Sequence, residues 1–269
     1  MCKSCAEGGA RCRDVRRLAA LTHSDLLPDS VPGRPDVVWS VGHHVEPELA
    51  ELWEASSRER QLPRPVVAEA VGTLADISQE EPAITSAVMS AVPAGAKAHG
   101  LEFRVKSPSS LARKIHDRVK LAARSEHPKT PAEVAAGMTD IVRYTIEARD
   151  HDALVPTAKA SIRKLTSQGF EVVEAEHSYV DGSGYKGLHL LVRSPTGRTF
   201  ELQFHSARSQ QVKDDVHLVY EDARRLDPGD PGRPILEAKM KSMSNGLPQP
   251  PGIDSLRRLG GVPVQVRKK

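Results

Sequence analysis

Glu201, Gln203 and His205 in the stretch FELQFHS, and Tyr185, Lys186 and His189 in SGYKGLHLLV, are the polar side chains of two segments that otherwise read as apolar strands. At the two-residue period of a strand, Glu201, Gln203 and His205 share one face while Phe200, Leu202 and Phe204 share the other. An isolated strand of this pattern is ordinary in a sheet with one wetted side. A second carboxylate, Asp140, opens the strand-like TDIVRYTI and is expected at the same sheet edge as Glu201. Two carboxylates with no cysteine or histidine cluster beside them suit a hard cation such as Mg2+, which keeps several waters and binds phosphate oxygens. Positive charge lies upstream in RVKSPSSLARKI: Arg104 and Lys106 alternate onto one strand face, and Ser110 and Lys114 stand four apart on the following helix. A helix N-terminus adds free N–H groups and a favourable dipole, so this corner suits a polyphosphate.

The elements that must hold these residues follow from periodicity. Helices are predicted over PVVAEAVGTLADI and over EPAITSAVMSAV, the second with proline at its start. LEFRVKS reads as a half-buried strand and SPSSLARKIHDRVKLAARSE as a helix with Leu111, Ile115, Val119 and Ala122 on one face. TDIVRYTIEA is strand-like, HDALVPTAKASIRKLTSQ helical despite Pro156, and FEVVEAEHSYV a strand again. Residues 187–194 and 198–205 form a hairpin around SPTGR, and ARSQQVKDDVHLVYEDARRL closes the unit as a helix. On the final helix, His217 and Tyr220 are expected near enough to FELQFHS to support it. This order predicts an α/β (α+β) fold, a mixed sheet flanked by helices.

Three regions are expected: a helical and looped extension over residues 1–62, the domain itself over 63–227, and a Pro/Gly-rich basic tail over 228–269, mobile or ordered by a partner. Aromatic residues make up only 4% of the chain against 20 prolines and 19 glycines, so the core is expected to be local. With 38 basic and 35 acidic residues, overall charge demands no nucleic-acid partner. No apolar run spans a bilayer and no signal peptide is evident, which predicts a cytoplasmic protein without a membrane partner.

Taken in order, RVKS…S…K, DIVRYTI, GYKGLHLLV and ELQFHS resemble the synthetase domain of the RelA/SpoT alarmone synthetases, a nucleotidyltransferase-like family. The resemblance covers roughly residues 80–226. It implies an ATP- and Mg2+-dependent pyrophosphokinase that transfers pyrophosphate to the 3′-hydroxyl of GDP or GTP, giving (p)ppGpp-type alarmones. It further implies that Arg104, Lys106, Ser110 and Lys114 grip the ATP phosphates. Asp140 matches the magnesium ligand, and Glu201 the carboxylate that assists the metal or activates the acceptor hydroxyl. Tyr185 corresponds to a tyrosine stacking on the acceptor base, with Lys186, His189 and Gln203 as polar contacts. Without a hydrolase domain or a large regulatory region, the chain resembles a small, synthesis-only member, and such relatives are often homo-oligomers.

Two positions depart from the family pattern. Thr145 stands where the family carries an arginine, and Arg143, on the same strand face, is the nearest substitute for an ATP contact. The E-x-Q-x-R strand ends in His205, which alters one acceptor or phosphate contact. Both departures point toward a divergent branch containing toxins, with adenosine nucleotides or the tRNA 3′ end as alternative acceptors and a neutralising antitoxin as a partner. A basic surface of Arg257, Arg258, Arg267, Lys268 and Lys269 would favour tRNA. A non-catalytic nucleotide-binding module is the rival of another class, and the intact Asp140 and Glu201 speak against it. Separately, Cys2, Cys5 and Cys12 with His23 form an incomplete zinc pattern, for which reduced thiols are the preferred reading. His43 and His44 are read as surface residues.

Overall fold

The computed structural model describes residues 30–31, 34–40, 62–106, 108–227 and 229–269. The cysteine group with His23, the pair His43–His44 and most of the extension over 1–62 lie outside the described residues. In chain order the elements begin with β1 (Ser30–Val31), β2 (Arg34–Ser40), α1 (Arg64–Ser90), β3 (Lys97–His99), β4 (Val105–Lys106), α2 (Pro108–Ala122), α3 (Pro131–Ala136) and β5 (Arg143–Ala148). They continue with α4 (Leu154–Thr166), β6 (Glu171–His177), β7 (Leu188–Arg193), β8 (Thr199–Ser206), α5 (Ala207–Arg225), α6 (Gly232–Asn245), β9 (Arg258–Leu259) and β10 (Val262–Val266). Among the described residues no helix is long and apolar enough to cross a membrane.

The chain divides into two compact units, the first comprising residues up to Ala83 and Leu101–Val142, the second Ile84–Gly100 and Arg143–Lys269. In the first, β2 pairs antiparallel with β1 and parallel with β4. Where a strand over LEFRVKS was expected, Leu101–Phe103 forms a 3-10 turn and only Val105–Lys106 extends. The backbone N–H of Lys106 donates to the Ile141 carbonyl at 2.9 Å, tying β4 to the segment that carries Asp140. α2 buries Leu111, Ala112 and Ile115 completely, and their i, i+1, i+4 spacing leaves Ser110 and Lys114 on the flank. Thr130 caps α3 in a reciprocal capping box with Glu133.

α1 is one helix where the sequence predicted two, and Pro82 lies inside it. An interior proline removes one helix hydrogen bond and costs about 3 kcal/mol. The apolar stripe outweighs that cost: Val67, Leu74, Ile77, Ile84 and Val88 keep the helical period across Pro82, and all are buried.

The second unit is built on a seven-stranded mixed sheet in the order β3-β5-β8-β7-β6-β10-β9. β5 runs parallel to β8 and β10 parallel to β6, while the other neighbours are antiparallel. Tyr144 and Ile146, Leu188, Leu190 and Val192, and Phe200, Leu202 and Phe204 form the apolar face and are all buried. α4 packs against β5, β6 and β8 with Leu154, Val155, Ala158, Ile162 and Leu165. Phe200 meets Tyr144 and Phe170 edge to face at 5.5 and 6.1 Å. The other face carries polar side chains, and α5 packs on it against β5 and β8.

Residues 228–269 differ from the expected loose tail. α6 packs against α5, and β10 extends the sheet with Val264 opposite Ala175 and Val266 opposite His177. This segment also wraps the loop between β6 and β7. Asn245 Oδ1 accepts from the Gly182 N–H, Ser244 Oγ donates to the Gly184 carbonyl, and Gln249 Nε2 donates to the Tyr179 carbonyl. The Gly184 N–H in turn donates to the Lys269 carbonyl at 2.6 Å.

Candidate active site

The expected site residues fall in both units: Arg104, Lys106, Ser110, Lys114 and Asp140 in the first, and Arg143, Tyr185, Lys186, His189, Glu201, Gln203 and His205 in the second. In the first unit, Asp140 Oδ2 accepts from Lys114 Nζ and faces Lys106 Nζ at 3.6 Å. All three side chains are partly open to solvent, at 30%, 18% and 26% exposure for Lys114, Lys106 and Asp140. Two ammonium groups around one carboxylate leave net positive charge, a setting that attracts phosphate. Ser110 Oγ lies 3.5 Å from Arg113 Nη2 on the flank of α2.

Arg104 is placed otherwise than the sequence predicts. It is only 2% exposed; its Nε donates to Glu81 Oε1 at 2.6 Å and its Nη1 to the Leu101 carbonyl at 2.8 Å. This guanidinium ties α1 to the turn before β4 and is buried, whereas Lys106 and Lys114 stay partly open to solvent.

In the second unit, strand register assembles the polar face. Arg143 lies opposite Glu201, Thr145 opposite Gln203, and Gln203 opposite His189. Glu201 Oε1 accepts from both Gln203 Nε2 at 2.7 Å and His189 Nδ1 at 3.0 Å. Neither bond uses Oε2. Burial alone would raise the Glu201 carboxyl pKa, but the hydrogen bond from His189, the Arg143 guanidinium and the Gln203 amide outweigh it and hold Glu201 ionised. For His189 burial dominates, lowering its pKa against the pull of Glu201. Burial thus works toward the neutral imidazole and the Glu201 carboxylate against it.

Tyr185 and His205 complete the cluster. The Tyr185 hydroxyl lies 2.7 Å from His189 Nε2 and 2.8 Å from His205 Nε2. Its ring stands edge-on to both imidazoles. Burial, followed by the nearby Glu201 charge, pushes the phenol well above its usual range. His205 is completely buried, and burial with the neighbouring Lys213 charge pushes it well below the usual histidine range. It touches Tyr185 and Ser209 and does not reach the surface. Lys186 is only 4% exposed, and its Nζ donates to the Leu247 carbonyl at 3.0 Å, which makes it a tether for the loop.

Lys213 on α5 escaped sequence reasoning. Its Nζ donates to Gln203 Oε1 at 3.0 Å, so Gln203 relays between an ammonium and Glu201. Burial and the Arg143 charge push its pKa down to about 8, against the opposing pull of Asp214 and Glu201. A signal was present: Ser209, Lys213 and Val216 follow a helical period, and the flanking Ser209 and Val216 are buried. His217, by contrast, is exposed and stacks on Tyr220 at 6.2 Å. Of the cations expected to form a basic surface, Arg267 pairs with Glu174 and Glu176, and Lys269 with Glu176.

No protein-family model matches the chain, and no curated protein matches it in sequence. Solved structures are similar to it. One is the complex between the Type VI effector Tas1 and its immunity protein, at 18% identity over 66% of this chain and 92% of that chain, with a TM-score of 0.38. The small alarmone synthetase 1 from Bacillus subtilis aligns at 13% identity over 65% of this chain and 85% of its own, with a TM-score of 0.40. For the small alarmone synthetase 2 from Bacillus subtilis the values are 16%, 71%, 91% and 0.36. The likeness is one of fold.

A metal fits here only in a limited way. Among the described residues no group of three or more His, Cys, Asp or Glu side chains is arranged to hold one. Mg2+ needs no such cage when it arrives on a nucleotide, because one carboxylate plus phosphate oxygens and water complete its shell. Asp140 has the right donor chemistry and the phosphate-attracting lysines beside it. Glu201 takes two hydrogen bonds on Oε1, and Oε2 lies outside both.

Proposed function

We propose that the chain is an ATP-dependent nucleotide pyrophosphokinase acting on the 3′-hydroxyl of GDP or GTP. The observation that carries this reading is Glu201: a buried carboxylate kept ionised by two donors on Oε1, with Oε2 outside both bonds. In the proposed step the acceptor O3′ attacks the β-phosphorus of ATP. The O3′–P bond forms, the P–O bond to AMP breaks, and the hydroxyl proton passes to Glu201 Oε2. Little covalent chemistry is asked of the protein in such a transfer; placement and charge neutralisation do most of the work. Lys106 and Lys114 bind the donor phosphates and Asp140 holds Mg2+ brought with ATP, whose charge offsets that of the polyphosphate. Arg143 and Lys213 supply positive charge around the acceptor, and the Tyr185 ring offers its base a stacking surface.

The test is transfer of label from ATP in the presence of Mg2+, with GDP, GTP, ADP and deacylated tRNA offered in parallel. Expected is a labelled guanosine product with matching AMP, lost in Glu201→Gln and Asp140→Asn. Transfer to ADP or tRNA instead would reassign the acceptor. Nucleotide binding without AMP from any acceptor would refute the transferase reading and leave a binding module.

A further inference from the structure

The Tyr185 hydroxyl has one hydrogen and two imidazole nitrogens within hydrogen-bond distance, His189 Nε2 at 2.7 Å and His205 Nε2 at 2.8 Å. It must donate to one and accept from the other. Which is which follows from the far ends of the cluster. Ionised Glu201 only accepts, so His189 Nδ1, 3.0 Å from Oε1, carries the hydrogen. A neutral His189 then presents a lone pair at Nε2, and Tyr185 donates there. The phenol oxygen is left to accept, so His205 carries its hydrogen on Nε2. Its Nδ1 becomes an acceptor, and the single Ser209 hydroxyl hydrogen stands between it and the Ser206 carbonyl, each 3.2 Å from Oγ.

We infer that His205 and Ser209 are positioning residues that act through Tyr185, in a one-way chain of hydrogen bonds from Ser209 to His205, Tyr185, His189 and Glu201. The inference rests on the reading of Glu201 as proton acceptor. His205 is completely buried and cannot touch a nucleotide, yet a hydrogen bond from its Nε2 to the Tyr185 oxygen leaves the phenol hydrogen for His189 Nε2 and so supports the tautomer that Glu201 sets. It also fixes the phenol from behind, which presets the plane of the ring. Burial favours the neutral form of both imidazoles, as the chain requires. Gly187 adds a geometric observation: a β-carbon there would lie 2.6 Å from His189 Nε2 and 2.8 Å from the Tyr185 oxygen. The space around this bond admits no side chain.

The experiment is imidazole nitrogen NMR of the full chain labelled with 15N-histidine near neutral pH, with His189→Gln and His205→Gln used to assign the signals. Expected are a neutral His189 protonated on Nδ1 and a neutral His205 protonated on Nε2, both disturbed in Tyr185→Phe. A His205 protonated on Nδ1, or a charged state of either ring, overturns the inference. Turnover supplies a second measurement. A glutamine amide can replace Nε2–H, so His205→Gln should keep most of the kcat that His205→Leu loses, by about 10- to 100-fold. Equal losses in the two variants overturn the inference as well. The spectra need no turnover, so a chain that proves inactive refutes the proposed function while the tautomers still decide the hydrogen-bond chain.

Discussion

A methyl group at position 187 is the smallest change that reaches the centre of the site. Its distances to His189 Nε2 and the Tyr185 oxygen lie below any ordinary contact for a β-carbon. Gly187→Ala should therefore cost about 1–3 kcal/mol in urea unfolding, the usual range for overpacking, together with most of the transfer activity. Unchanged activity would mean that the Tyr185–His189 bond is dispensable. Arg104 makes the opposite case, where stability is affected and chemistry is not directly touched. Removing it leaves Glu81 buried without this partner, and Arg104→Ala should lose about 3–5 kcal/mol by the same measurement. Lys213 is testable through pH. Its folded pKa of about 8 lies below the ordinary 10.5, so as pH rises through 8 the site loses a positive charge and acceptor KM should increase. Lys213→Arg, charged throughout this range, should flatten that increase. In the window from 8 to 10.5 the unfolded chain binds the extra proton, so stability should rise with pH there.

At the scale of elements, the polar face of the sheet sets the acid limit of the fold. His189 and His205 have folded pKa values below their ordinary one, so the unfolded chain binds more protons as pH falls through the usual histidine range. Glu201 is also depressed, and its contribution is lost at lower pH still. Both effects have the same sign: stability falls on acidification, first through the histidines and then through the carboxylate. Urea midpoints measured from pH 7.5 down to 4 should decline, and His205→Gln should blunt the first part of the decline. The alternation of β8 was legible in FELQFHS because its two faces differ, apolar Phe200, Leu202 and Phe204 on one and polar Glu201, Gln203 and His205 on the other. The hairpin partner β7 was legible for the same reason. Less legible was α1, whose Pro82 reads locally as a helix start although burial of Ile77, Ile84 and Val88 carries the helix through. LEFRVKS alternates as a strand does, yet Arg104 spends its guanidinium on Glu81 and Leu101, and the backbone follows into a turn. β10 was hidden because VPVQV sits among prolines, glycines and basic residues, and its pairing with β6 is a long-range fact that local composition does not carry.

Over the whole molecule, the residues read as handling the donor and those read as handling the acceptor belong to different compact units. Substitutions should separate accordingly in kinetics. Lys114→Ala should raise the KM for ATP while leaving that for the acceptor nearly unchanged, and Tyr185→Ala should do the reverse, as steady-state titration of each substrate will show. Parallel losses for both substrates in either variant would contradict the division of labour.

The loop that carries Tyr185 is fastened by partners 60 to 86 positions downstream: Ser244 and Asn245, the Leu247 carbonyl, and Lys269. During synthesis those partners emerge from the ribosome well after the loop itself. β8 and β7 can pair early, being a hairpin, but the loop cannot be fastened until α6 and β10 are available, a closure of high sequence separation. A nascent chain halted before Ser244 should therefore keep its Tyr185 loop open to protease and be silent in pyrophosphate transfer. The fold thus postpones its own competence until Ser244 and the residues after it have been made.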